Sequence, residues 1–321
     1  MIDKGLFLLT MRYVPLTTLL RQSGVLFLSF FVFVACEEAV DLEFDVPKSK
    51  LVLSSSFYPA EPVILRVSAT RPRGNAPAQE ISDAQVSLFE GNKLAEVLTY
   101  YPGTETAAGG SYRTVHFRPE VGHEYTIHVS APGYDPVTAI SSIPEPVAIN
   151  SLAVKNLTVM EEEGEFVYDY YLQIDYADPA TETNYYDLRI SQLVVPFKIT
   201  ARGDTLRLDP VPKAVSTPTQ AAMEGNTVSL LLQDKQAESI LEVHLQSRLN
   251  PENELLDRIV AELRTVSPEY YFYQRSLALP NDLGGTGLDE PVIYFNNVES
   301  GLGVFAGYNS VQRDYFPSYH D

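Results

Sequence analysis

Three observations predict a mostly β fold: short runs of β-branched and aromatic residues recur at regular spacing, Gly and Pro punctuate them, and Tyr is abundant while Trp is absent. Six or seven such runs in the first half are the pattern of two packed sheets. Residues 48–146 therefore read as an immunoglobulin-like or transthyretin-like β-sandwich. Residues 147–321 read as a second β-rich domain with one short helix near 268–279.

Each element has its own warrant. Leu51 to Phe57 and Val63 to Ser68 are β-rich runs joined by Pro59-Ala60-Glu61-Pro62, which predicts an antiparallel pair. Ala84 to Glu90 alternates and stops at Gly91-Asn92, Leu94 to Tyr101 stops at Pro102-Gly103, Tyr112 to Phe117 follows Gly109-Gly110, and Glu124 to Ser130 ends before Pro132-Gly133. Pro144-Glu145-Pro146 marks the domain boundary, because two prolines exclude both helix and central strand. Further strands are expected at Phe166 to Tyr176, Tyr185 to Val195, Val228 to Leu232 and Ile240 to Leu249. Gly203 to Asn226, with Pro210, Pro212 and Pro218, reads as a long mobile loop. Leu255 to Val266 admits two readings: Ile259, Val260 and Leu263 suit a helix, whereas pairing with Ile240 to Leu249 across Asn250-Pro251-Glu252-Asn253 suits a hairpin, and the strand is the reading adopted. The one helix starts at Ser267-Pro268-Glu269, an N-cap, a proline at the first helical position and an acid in the first turn, and runs toward Pro280.

The amino terminus carries an address. Arg12 and Arg21 precede an apolar run, Val25 to Ala35, in the order of a charged region, a short hydrophobic region and a small residue at a cleavage site. The run is about half the roughly 20 apolar residues a membrane-spanning helix needs. Phe33-Val34-Ala35-Cys36 resembles a bacterial lipobox, which implies cleavage between Ala35 and Cys36 and acylation of the Cys36 sulfur. Residues 1–35 are then a lipoprotein signal peptide, and a start at Met11 would give one of ordinary length. Residues 36–47 carry five acids and no sustained period, so they read as an acidic tether.

Composition narrows the partners. Without residues 1–35 the net charge is about −21, and so acidic a surface repels nucleic acid, whose binding rests on basic contacts. With Cys36 the only cysteine, no disulfide can form within the chain, and stability must come from apolar burial and strand pairing.

The chemistry-bearing clusters are weak. His123 and His128 lie five apart in a strand pattern rather than four apart on a helix, so they do not form a zinc motif. His116, His244 and His320 have no spacing of a triad or ligand set. Asp175 to Asp178 and Asp282 to Asp289 lack the alternating acids of a calcium loop, and Glu161 to Glu165 reads as a solvated turn. Gly301 to Tyr308 lacks the lysine of a phosphate loop and fits a strand where another backbone comes close. Tyrosine clusters are core or contact candidates, since adjacent tyrosines in a strand face opposite ways; Tyr170, Tyr186 and Tyr271 are the candidate aromatic contacts. No catalytic residue, metal site or cofactor is expected.

Taken in order, Lys50-Leu51-Val52-Leu53, Asp83 to Leu88, Gly122-His123-Glu124-Tyr125, Asp178-Pro179 with Asn184-Tyr185-Tyr186, Ser267 to Tyr271, Glu290-Pro291-Val292 and Asn296 to Phe305 resemble a Bacteroidota lipoprotein family, domain of unknown function 4249. The resemblance implies an outer-membrane lipoprotein, exposed at the cell surface, working beside a TonB-dependent transporter; the acids at Glu37 and Glu38 are similar to signals for export to the outer leaflet. The expected function is a noncatalytic, lipid-anchored accessory of nutrient uptake that docks on the transporter or binds a peptide or glycan cargo. An envelope-anchored hydrolase and a structural or adhesive envelope protein are the alternatives.

Overall fold

The computed structural model describes residues 48–71, 79–104, 109–179, 183–218, 221–233, 240–278 and 294–317. The signal peptide, Cys36, the tether, Met11, Asp282 to Asp289 and the Glu290-Pro291-Val292 segment lie outside the described residues. The fold is mostly β, with one helix among the described residues. No described helix is long and apolar enough to cross a membrane.

The first half supplies β1 (Leu51–Phe57), β2 (Ile64–Ala69), β3 (Gln79–Glu80), β4 (Gln85–Glu90), β5 (Lys93–Val97), β6 (Thr99–Tyr101), β7 (Ser111–Arg113), β8 (Glu124–Ser130) and β9 (Val137–Ser142). Strict alternation decides their faces: Leu51, Leu53 and Phe57 of β1 and Tyr125, Ile127 and Val129 of β8 point inward, while His128 points out. The expected pair β1 and β2 is antiparallel, Leu53 opposite Val67. Leu94 to Tyr101, expected as one strand, is two. Leu98 is buried and donates its N–H to Val86 O at 2.9 Å, after which the chain leaves β4 for β7 in another sheet.

The second half supplies β10 (Ile149–Glu162), β11 (Glu165–Tyr176), β12 (Tyr185–Ile199), β13 (Thr205–Arg207), β14 (Val211–Lys213), β15 (Ala222–Glu224), β16 (Thr227–Gln233), β17 (Ile240–Leu249), β18 (Glu254–Val266), α1 (Pro268–Ala278), β19 (Val298–Glu299) and β20 (Leu302–Tyr315). Ser267 caps α1 as expected, its hydroxyl accepting from the Tyr270 N–H at 3.3 Å. Two expectations fail here. The stretch from Gly203 to Asn226 is not a featureless loop: β13 and β14 pair with β12, and β15 pairs with β16, so its backbone groups are satisfied on the sheet. β17 and β18 do not form a hairpin either. Across Asn250 to Asn253 the chain changes sheets, β17 pairing with β11 and β18 with β12 and β20.

Three sheets result. One of twelve strands runs β15-β16-β12-β18-β20-β1-β2-β7-β6, with β13 and β14 beside β12 and β3 beside β2. A five-stranded sheet, β19-β9-β8-β4-β5, and a three-stranded one, β10-β11-β17, accompany it. One core gathers Leu53, Leu65, Leu88, Ile127 and Phe57, and a second gathers Leu172, Leu188, Ile190, Leu245 and Leu263. Each such fully buried aliphatic side chain contributes roughly 1.5–3 kcal/mol. The cores divide between Ile143 and Val147, across the expected proline boundary. The chain segments do not divide there: Val298 and Phe305 belong to the first core, and residues from Lys48 onward form a single compact unit.

The join is β20. Its first half pairs in parallel with β1, and its second half pairs antiparallel with β18. Phe305 stacks on Phe57 with ring centroids 4.5 Å apart. Gly303 has φ +107 and lies opposite Leu53, where a Cβ would fall far inside contact with the Leu53 carbonyl oxygen. The glycine-rich run is thus a strand in close backbone approach, as its alternation predicts.

Candidate functional site

The candidate contact tyrosines are buried. Tyr170, Tyr186 and Tyr271 are 2 %, 0 % and 6 % exposed, so none stands on the open surface as a contact for a protein partner. Strand parity turns Tyr170 and Tyr186 into the second core, and Tyr271 packs beneath the helix against Tyr185 at 4.8 Å. Their neighbours Tyr171 and Tyr185 are only half-buried, and Tyr171 stacks on His244 at 4.7 Å.

Three of the described histidines serve a local bond, and His320 lies outside the described residues. His123 Nδ1 meets Glu90 Oε1 at 2.6 Å, His128 Nδ1 meets Thr138 Oγ1 at 2.8 Å, and His244 Nε2 meets Asp169 Oδ1 at 2.8 Å. Among the described residues no group of three or more His, Cys, Asp or Glu side chains could hold a metal ion. Hydrogen bonds from Gln246 and then His244 hold the Asp169 carboxyl below its ordinary range.

The densest polar arrangement lies on the face of the large sheet that α1 partly covers. Asp187 on β12 is buried and accepts from Ser229 Oγ at 2.6 Å and from Tyr270 Oη at 2.9 Å, with Arg189 3.6 Å away. Across the β12 and β18 ladder, Arg264 stands opposite Asp187, and Arg189 stands opposite Glu262. Arg264 donates to both Glu262 oxygens, at 2.8 and 3.2 Å, and lies 4.7 Å over the Tyr308 ring. Burial pushes the Tyr270 phenol well above its ordinary value, with the Asp187 charge adding to it. At the edge of this network the Tyr58 ring, 41 % exposed, sits 5.1 Å from Tyr308. Every charge in the interior of the network has a partner, so the arrangement fixes α1 on the sheet. Its margin presents the Tyr58 ring, and tyrosine is a residue type that anchors protein interfaces.

A second feature is a cleft of about 240 Å3 between the small sheet and the large one. Val154, Leu157, Tyr168 and Tyr170 line one wall, and Leu256, Ile259 and Tyr315 the other. Leu157 reaches it through a β-bulge: the β10 and β11 register shifts between Lys155 and Thr158, and Asn156 has φ +52. The Tyr170 hydroxyl is buried and has no hydrogen-bond partner among the described residues, an omission that costs about 1–3 kcal/mol if nothing meets it. Sequence reasoning missed this site because its walls come from segments some hundred residues apart, and no local pattern marks them.

The motif Asn296 to Phe305 has a structural account. Asn297 donates to Phe305 O at 2.8 Å and Ile140 O at 3.1 Å and accepts from the Phe305 N–H at 3.1 Å, clasping β9 to β20. Asn296 closes the turn before β20 with bonds to Val298 O and Gly301 O. The family model for a domain of unknown function, DUF4249, matches residues 37–314. The chain belongs to the DUF4249 family. No curated protein matches it significantly. The DUF4249 match begins one residue after Cys36 and takes in both cores, the cleft walls as far as β20, and the clasp at Asn297. In this DUF4249 chain the motif that carries the sequence resemblance is therefore a joint of the fold.

Proposed function

We propose that this protein is a noncatalytic lipoprotein, anchored through acyl chains on Cys36 to the outer membrane and facing the cell exterior, where it assists a TonB-dependent transporter in capturing a nutrient. The observation that carries the reading is the order of residues at the amino terminus: a charged region, the apolar run Val25 to Ala35, then Cys36 and five acids before Pro47. A lipid anchor followed by a charged, self-repelling tether gives the β body reach from a membrane surface. The exposed Tyr58 ring at the margin of the large sheet suits a protein partner, and the cleft suits a cargo.

Membrane fractionation tests the anchor. The native protein sediments with outer membranes, and the Cys36→Ser variant is released. Retention of that variant, or a native mass showing an unmodified thiol with the leader attached, overturns the reading. Extraction in mild detergent tests the partner: a stoichiometric β-barrel copurifies, and its reproducible absence removes the transporter from the proposal.

A further inference from the structure

We propose that the cleft between the small and large sheets is a binding site for a neutral ring compound, aromatic or alicyclic, that carries one hydrogen-bonding group. This inference does not require the membrane anchor: a chain without lipid that still binds leaves it standing and overturns the anchor alone.

Size sets the first limit. A cavity of about 150 Å3 takes benzene, so the 240 Å3 here takes a single or fused ring with a short substituent. Lining sets the second. The half-buried rings of Tyr168 and Tyr315 come from opposite walls, among aliphatic side chains, and offer a ring ligand edge and face contacts, with the buried Tyr170 also lining the cleft. Charge sets the third. None of the lining residues is charged; Arg258, two residues from Leu256, is held between Asp257 at 3.6 Å and Asp314 at 3.5 Å, and a chain of net charge −19 does not gather anions.

The hydrogen-bonding group is argued from Tyr170. A buried hydroxyl without a partner is rare in folded proteins and needs a reason. Burial also keeps its phenol protonated, a neutral donor and acceptor at any physiological pH. A ligand hydroxyl, carbonyl or N–H seated against this ring supplies the partner that the fold does not. The bulge at Asn156 completes the site: it places Leu157, 53 % exposed, at the mouth, where an apolar side chain serves a ligand better than it serves a water-facing edge strand.

Indole is the test probe, because the chain contains no tryptophan and indole fluorescence excited beyond the tyrosine band comes from the probe alone. The full chain is held in amphipol and titrated with indole. The expected result is a saturable blue shift at one indole per chain, weakened about tenfold by Val154→Phe, which fills the cleft, and about fivefold by Tyr170→Phe. Leu157→Arg, at an exposed position that tolerates substitution, also weakens binding and guards against a Val154→Phe variant that fails to fold. Absence of a saturable shift in the native chain, or equal affinity in Leu157→Arg and native protein, overturns the site. An unchanged affinity in folded Tyr170→Phe overturns the hydrogen bond to Tyr170.

Discussion

Gly303 lies opposite Leu53 in the parallel ladder between β20 and β1, so close that any side chain at 303 would collide with the Leu53 carbonyl. Its φ of +107 excludes other residues independently. Gly303→Ala is expected to cost about 3 kcal/mol or more, the sum of backbone strain and overpacking. Urea unfolding checks this, and a midpoint equal to the native one would mean that the ladder relaxes freely.

Asp187 and Tyr270 are expected to be energetically coupled. Tyr270 Oη donates to Asp187 at 2.9 Å, and both are buried. A double-mutant cycle of Asp187→Asn and Tyr270→Phe should give an interaction energy of about 0.5–3 kcal/mol, as for other groups in one buried network. Additive single variants would separate the helix from the sheet network.

Stability should fall on both sides of neutrality. On the acid side, Asp169 is held low by Gln246 and then His244; for Glu254, burial pulls upward, yet bonds from Lys213 and the Asn250 N–H outweigh it. Their contribution is complete above the unfolded values near 4 and is lost as pH drops through the lower folded values. On the alkaline side, burial pushes Tyr125 up to about 12, and Tyr170 and Tyr270 higher. Their contribution is complete below the unfolded value of about 10 and is lost as pH climbs from there. Between these limits only the exposed His123, raised by its bond to Glu90, adds a slight fall above its unfolded value, so urea midpoints should decline markedly only in acid and above about pH 10, and a midpoint unchanged at about pH 11 contradicts the burial of these phenols.

Glu163 offers a stabilising change. The β10 and β11 hairpin turns on Glu163, φ +53, and Gly164, φ +82, between the paired residues Glu162 and Glu165. Asn tolerates the left-handed region far better than Glu, and Asn-Gly is the favoured pair for such a turn. Glu163→Asn should raise stability by about 0.5–1 kcal/mol, read as a higher melting temperature.

Some strand positions were legible because alternation is local, while β9, β10 and the short strands between Gly203 and Asn226 were not. Leu51 to Phe57 and Ile240 to Leu249 carry their period in their own residues, and the Ser267-Pro268-Glu269 start carries the helix, whereas Leu255 to Val266 fitted helix and strand alike. Partner choice was not legible. Asn250 to Asn253 looks the same whether the chain folds back as a hairpin or passes between sheets, and Leu98 gives no sign that the strands on either side of it belong to different ladders. The tyrosine pairs show the same limit. Parity says that one of Tyr185 and Tyr186 faces inward, but only the register of β12 against β18 decides which. Gly303 was readable as a close approach, whereas the cleft around Tyr170 exists only once the bulge at Asn156 and the far end of β20 meet.

The late return of β20 to β1 also governs the order of events during synthesis. A nascent chain that has emerged as far as α1 still lacks one of the two neighbours of β1 and the ring that stacks on Phe57, so its earlier half stays unfinished until residues 302–315 have emerged as well.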